Sequence, residues 1–175
     1  MKRVKLFAAI FLAGVICFPA AARAEKYQDP DSRFEIEIPA GWAPHVPEYE
    51  GVAATFVESV SGASVNISVR DAGEGAKVED LKWEDLFSPK FEEVSMRMQG
   101  QTMIDGGKAK YCLYTLTGAF KKQMEGKNSL MYLNYVMVRN GKLFSVTFKD
   151  REAEFVGRQP EFFRIIRSMA FPKQA

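Results

Sequence analysis

Between Phe34 and Ile38 apolar and acidic residues alternate strictly, with Phe34, Ile36 and Ile38 on one side and Glu35 and Glu37 on the other. A period of two marks a strand with one buried face. Pro39 and Gly41 stop this strand, and Trp42 follows as an anchor for the turn. A strand pair is predicted over 52–60 and 63–70, joined by Ser61-Gly62, with Val65, Ile67 and Val69 on one face and Asn66, Ser68 and Arg70 on the other. Residues 71–77 are polar and glycine-rich and read as a loop. Helical spacing then begins with Leu81, Trp83, Leu86 and Phe87, and Ser88-Pro89 can cap a second piece in which Phe91, Val94 and Met98 recur. Gly100 ends it, so the spacing predicts a broken helical segment over 81–100.

Two hairpins follow from Asp105-Gly106 and Asn140-Gly141, because glycine accepts the positive φ that a two-residue turn requires. Residues 121–129 between them form a long polar connection, while Tyr132, Val136, Val138, Leu143 and Phe148 supply the bulk that strands favour. The last stretch is helical again. Phe155, Phe162, Phe163, Ile166 and Met169 line a face that can pack on a sheet, and Pro160 either starts a new helix or bends the existing one. The order of strands, helix, antiparallel strands and helix predicts an α+β domain whose helices cover a mainly antiparallel sheet.

The first 24 residues stand apart from this pattern. Lys2, Arg3 and Lys5 precede an apolar run from Leu6 to Phe18, and Ala22-Arg23-Ala24 offers a small-x-small cleavage site. That is the layout of a secretory signal peptide, read over residues 1–24, with a single domain over 25–175. Pro19 interrupts the run near the lower limit of about 17–25 residues for a bilayer-spanning helix, so no stable membrane span is expected after cleavage. A retained N-terminal anchor is the alternative. Ile16 stands where lipidation of Cys17 would need a small residue, which argues against a lipoprotein.

Cleavage changes the charge. The leader holds four of the 24 basic residues and no acid, so 20 basic residues face 22 acidic ones and the formal charge moves from +2 to −2. Clustered Lys and Arg, the footprint of nucleic-acid binding, are missing, so no nucleic-acid partner is expected. Removing Cys17 leaves Cys112 alone, without an internal disulfide partner.

Candidate chemistry is sparse. His45 is the chain's only histidine, and histidine serves as a general base or metal ligand. A metal site needs several ligands at usable spacing, and no second histidine or HExxH motif accompanies it. Cys112 is the candidate nucleophile, but between Tyr111 and Leu113 on a strand it reads as a packed residue without an activating neighbour. Asp29 and Asp31 lack the remaining oxygen ligands of a calcium loop. Glu74, Glu79, Asp80, Glu84 and Asp85 suit a helix start without any ligand. Residues 71–77 lack the spacing of a phosphate loop, and Asn66-Ile67-Ser68 is an accidental glycosylation triplet. Lys121, Lys122 and Lys127 form a basic loop, and the methionines at 96, 98, 103, 131 and 137 read as core filler rather than a ligand groove. No cofactor is expected.

Four blocks carry a family resemblance. Phe34 to Trp42 resembles the F-x-I-x-x-P-x-G-W opening of PsbP-like and DcrB-like proteins, and Gly107 to Tyr111 their next anchor. Gly141 to Thr147 resembles the hairpin return strand, and Phe163 to Phe171 the closing helix with its Ser-x-x-Phe exit. The resemblance implies an α-β-α sandwich around a central antiparallel sheet, shared with photosystem-associated PsbP and a Ran-binding nuclear import factor. It implies accessory roles and brings no catalytic motif. The missing lipidated cysteine departs from lipoprotein members such as DcrB.

These readings converge on an exported, non-catalytic accessory protein of the periplasm that binds a protein partner or envelope complex. A carrier with an apolar cavity for a small molecule or lipid is the alternative, and it requires a cavity with a few converging polar groups. A hydrolase ranks third and requires His45 or Cys112 to meet acidic partners in one cleft.

Overall fold

The structure, a computed structural model, describes residues 24–47, 49–87, 91–126 and 128–173. The expected leader, the Ser88-Pro89 cap and Lys127 lie outside the described residues. Glu25–Gln28 (β1) and Glu35–Ile38 (β2) form an antiparallel ribbon. Its turn is built by Asp29, whose carboxylate accepts the Arg33 backbone N–H at 3.1 Å and the Arg33 Nε and Nη2 at 2.7 and 2.8 Å. Asp31 also pairs with Arg33, at 3.1 Å. Both aspartates therefore fasten a turn. Burial pushes the Asp29 carboxyl up, and Arg33 pulls it further down, below the usual carboxylate range.

The main sheet contains Trp42–His45 (β3), Val52–Glu58 (β4), Ser64–Asp71 (β5), Val94–Ile104 (β6), Gly107–Leu116 (β7), Leu130–Arg139 (β8) and Lys142–Arg151 (β9). Its order is β3-β4-β5-β9-β8-β7-β6, with antiparallel neighbours throughout. The two glycine turns form as their chemistry requires: Asp105 and Gly106 have φ of 45° and 72°, and Asn140 and Gly141 have 51° and 72°.

Both faces of the sheet carry a core. On one, Phe56, Val65, Ile67, Phe144, Val146 and Phe148 lie beneath β2 and the helix Glu152–Ser168 (α3). On the other, Cys112, Tyr114, Tyr132, Val136 and Leu143 lie beneath Trp83 and Phe87 of the short helix Trp83–Phe87 (α1) and Phe120 of Gly118–Glu125 (α2). The architecture is an α+β fold, an α-β-α sandwich around an antiparallel sheet. Phe34, Ile36 and Ile38 are buried as their alternation predicts.

The chain ends are fastened locally. Trp42 donates its indole N–H to Glu161 Oε2 at 3.2 Å. Ser168 Oγ accepts the Glu37 N–H at 2.8 Å, and Glu35 and Ala170 exchange backbone bonds of 2.9 Å. Phe171 then meets Phe144 edge to face, with ring centres 4.8 Å apart. The Ser-x-x-Phe exit is thus a clasp holding β2 to the sheet. Gly107 is small for a reason too: a Cβ there would stand 2.3 Å from the Arg139 guanidinium, which spans the turn and donates to the Ile104 carbonyl.

Three local expectations need correction. Residues 94–100 are strand, and only Phe91–Glu93 forms a single 3-10 turn before it. A bulge between Met96 and Met98 reverses the strand's alternation. Val94 and Met96 therefore face α1, while Met98, Gly100, Thr102 and Ile104 face the α3 side, and the bulge mimics helical spacing. The polar connection over 121–129 includes the second half of α2, in which Lys121 pairs with the buried Glu125 at 2.6 Å instead of lining a basic loop. The first turn of α2 takes its carboxylate from Glu93, which accepts the Phe120 N–H at 2.5 Å. Finally, Phe163 is 38% exposed and Ile165 is buried in its place. Pro160 lies inside α3 on its exposed side, beside the 70% exposed Val156, where water can satisfy the carbonyl that proline leaves free.

Candidate functional site

His45 and Cys112 do not meet. His45 is exposed on β3, its Nδ1 3.1 Å from the Val46 carbonyl, and β3 is one edge of the sheet. Cys112 lies on β7, five strand spacings away, or roughly 24 Å at about 4.8 Å per strand. It has no solvent exposure, and burial pushes its thiol up to about 12. A thiol held protonated under an aromatic layer is a core residue. Among the described residues no three His, Cys, Asp or Glu side chains gather as metal ligands.

The buried charges that do gather are fastenings. Arg158 on α3 donates to Asp150 at 2.9 Å and stands 3.7 Å from Glu58 and 3.4 Å from Glu161. Glu58 accepts the Ser61 Oγ–H and N–H, both at 2.7 Å, and the Val60 N–H at 3.2 Å. The Ser61 hydrogen bonds hold the Glu58 carboxyl below the usual range. This network ties α3 to the β4-β5 turn.

What remains open lies at the other end of the sheet. α3 crosses β2, β9 and β8 and packs less extensively over β7 and β6. A cleft of about 220 Å³ results, walled by Gln159, Phe163 and Arg167 of α3 and floored by Tyr111, Leu113 and Tyr135 of the sheet. Gly100 shapes that floor. A Cβ there would stand 2.6 Å from the Tyr111 hydroxyl oxygen, so only glycine lets the Tyr111 ring lie across β6. The Tyr111 and Tyr135 rings sit 5.8 Å apart. Met98 is 50% exposed and Phe163 38% exposed at the mouth. Methionine and phenylalanine standing open together form the kind of apolar patch that marks an interaction surface.

Arg167 is the charged residue of the lining, its guanidinium carbon 6.0 Å from the Phe163 ring centre. It makes no ion pair among the described residues. Burial pushes the Tyr135 phenol up to about 12, and Arg167 opposes that rise. The cleft therefore combines an apolar floor, two phenol hydroxyls and one cation. Its lining suits an apolar group bearing a negative charge.

A second hollow of about 280 Å³ lies on the opposite face, where β5 and β9 carry polar side chains. Ser145 Oγ donates to Asn134 Oδ1 at 3.0 Å there, with Ser68, Arg70 and Glu50 around it. This is the solvated face that the Asn66-Ser68-Arg70 alternation predicts.

Sequence reasoning did not find the cleft. Phe163 and Met98 read as core, and Arg167 carries no motif. The available signal was a second stripe on α3, since residues 159, 163, 166 and 167 share one flank of a helix.

The sequence matches the family model described as PsbP over residues 22–171. No curated protein matches the chain. Among solved structures, the cyanobacterial PsbP (CyanoP) of Synechocystis sp. PCC 6803 superposes with a TM-score of 0.66 at 14% identity, covering 94% of this chain and 98% of that one. The Ran-binding protein Mog1p of Saccharomyces cerevisiae gives 0.60 at 6% identity, covering 86% and 96%. LpqN of Mycobacterium tuberculosis, involved in cell envelope biogenesis, gives 0.52 at 11%, covering 86% and 91%. At these identities the likeness is one of fold.

Proposed function

The chain belongs to the PsbP family, and from that premise we propose that it is an exported, non-catalytic accessory protein that binds a protein partner through the cleft beside α3. The observation that carries this reading is the open apolar mouth formed by Met98 and Phe163. Soluble domains rarely leave such residues together in water unless something covers them. The leader layout over 1–24 supports export, and among the described residues no helix is long and apolar enough to cross a membrane. Similar folds serve binding and envelope roles elsewhere: Mog1p is a Ran-binding protein, and LpqN is involved in cell envelope biogenesis. Against a hydrolase, the third reading, stand the contact of His45 with a backbone carbonyl and the full burial of Cys112, neither of which sets an acidic partner beside it in a cleft.

A photo-crosslinking residue at Met98 tests this in the native envelope, with the same residue at the 89% exposed Val60 as control. A discrete adduct with one protein from Met98 and none from Val60 is expected. Equal labelling from both sites overturns the reading. Processing is checked in the same experiment, since the periplasmic form should begin at Glu25.

The cleft's volume also favours a second occupant, a small apolar ligand. Native mass spectrometry of the protein from its own periplasm decides between them. The partner reading expects the bare chain mass. A stoichiometric bound lipid or small molecule would replace it.

A further inference from the structure

The surface beside the cleft is an unpaired strand, and its backbone says what kind of partner it accepts. Among the described residues β6 is the outermost strand, paired with β7 alone. Ile104 and Gly107 close a two-residue turn, so they exchange hydrogen bonds across the hairpin. Alternation then turns the N–H and C=O groups of Met103, Gln101 and Gln99 outward. Edge strands are normally blunted by charge, proline or a bulge. The bulge and Arg97 blunt the start of β6, but from Met98 to Ile104 it has neither charge nor proline. Its cleft-facing side chains are Met98, Gly100, Thr102 and Ile104, with the small Gly100 and Thr102 at the centre.

We propose that β6 receives an extended segment of a partner polypeptide, which adds to the sheet as a further strand and sets an acidic group against Arg167. This rests on the partner-binding reading of the cleft and names the chemistry of what enters it. Strand addition satisfies the outward amides of Gln99, Gln101 and Met103 while alternate side chains of the guest cover Met98 and Phe163. Charge selects the guest. Arg167 borders the cleft, Arg97 flanks the strand, and the lining contains no acid. A second copy of this chain does not fit that role, because β6 carries no acidic residue to offer Arg167. An acyl chain would fill the floor but leave the strand's amides unpaired.

The test uses the full chain and a set of eight-residue peptides, apolar at alternate positions, with Asp placed at each remaining position in turn. A matched set carries Lys in place of Asp. The best Asp peptide is expected to bind at least tenfold tighter than its Lys counterpart and to slow hydrogen exchange at Gln99, Gln101 and Met103. Gln101→Pro removes one outward N–H without touching the β6-β7 ladder, and binding should fall at least tenfold. Arg167→Glu should invert the preference so that the Lys set binds better, a readout independent of any effect of the proline on folding. No peptide binding, no Asp preference, protection elsewhere than β6, or self-association through β6 overturns the proposal. If Met98 crosslinks to a partner while the β6 amides stay unprotected, strand addition alone fails. Absence of the crosslink removes the partner reading itself.

Discussion

The two ends of the seven-stranded sheet are finished in opposite ways. At one end β3 has four residues, includes Pro44 and is followed by Pro47, so it offers a neighbouring chain little to pair with. Trp42 at its start is locked to α3 by Glu161 and by the Phe162 ring, 6.1 Å away. At the other end β6 has eleven residues, and the seven from Met98 to Ile104 include neither a charge nor a proline. The difference arises from where one helix lies. α3 closes the β3 end and its flank stops short of β6, so the same element builds a core on one side and the wall of a cleft on the other.

Adjacent residues of α3 test this most sharply. Phe162 has no exposure and meets Trp42, Phe148 and Phe155, while Phe163 faces the cleft. Phe162→Ala should cost about 3–5 kcal/mol, as a deleted core aromatic does. Phe163→Ala should stay within about 0.5 kcal/mol of the parent, yet abolish crosslinking from Met98. Urea unfolding of the two variants measures the contrast, and comparable losses would mean that the cleft is part of the core.

Arg158→Met should come next. It strands the buried Asp150 beside Glu58, and breaking such a pair costs roughly 3 kcal/mol. Arg167→Met at the open end has no ion pair to lose and should leave the urea midpoint unchanged. Equal destabilisation by both would contradict the division between a fastened end and an open one.

Much of this division was legible in the sequence, and the unread part has physical causes. β2 and the two hairpins follow from residues within each stretch: alternation at Phe34–Ile38, and positive φ at Asp105-Gly106 and Asn140-Gly141. β6 did not, because the bulge at Arg97 turns a period of two into something near a helix repeat. α2 did not, because the carboxylate at its first turn comes from Glu93, far upstream in the chain. The cleft is harder still. Phe162 and Phe163 are both aromatic and differ by about 100° around the helix, and only the placement of α3 decides which is buried. His45 and Cys112 were the residues with recognisable chemistry, and the sheet holds them at separate strands.

Acid should loosen the closed end first. Glu58 and Asp29 both have folded values below their ordinary 4.5 and 3.8, with Ser61 and Arg33 the groups that lower them. A depressed carboxyl contributes stability that is present above its unfolded value and is lost as pH falls through its folded value. Stability should therefore hold from neutral pH down to about 4.5 and decline below it. Hydrogen exchange at pH 3 should rise around the Ser61-Gly62 turn and the β1-β2 ribbon before it rises in β7 and β8. Early loss in β7 and β8 would place the acid-sensitive contacts elsewhere.

The smallest effect on stability is expected from making β6 resemble β3. Met98 is half exposed at the cleft mouth, so Met98→Glu places an edge charge there without emptying any core. Stability should shift by no more than about 0.5 kcal/mol, and the melting curve should overlay the parent's. Partner capture should nevertheless disappear, because the glutamate repels the acidic group of the guest and offers Arg167 a carboxylate of its own. A crosslinker moved to Gln101 in that variant reads the outcome. If capture persists at full strength, β6 is not the strand that distinguishes the two ends, and the partner must engage the α3 wall alone.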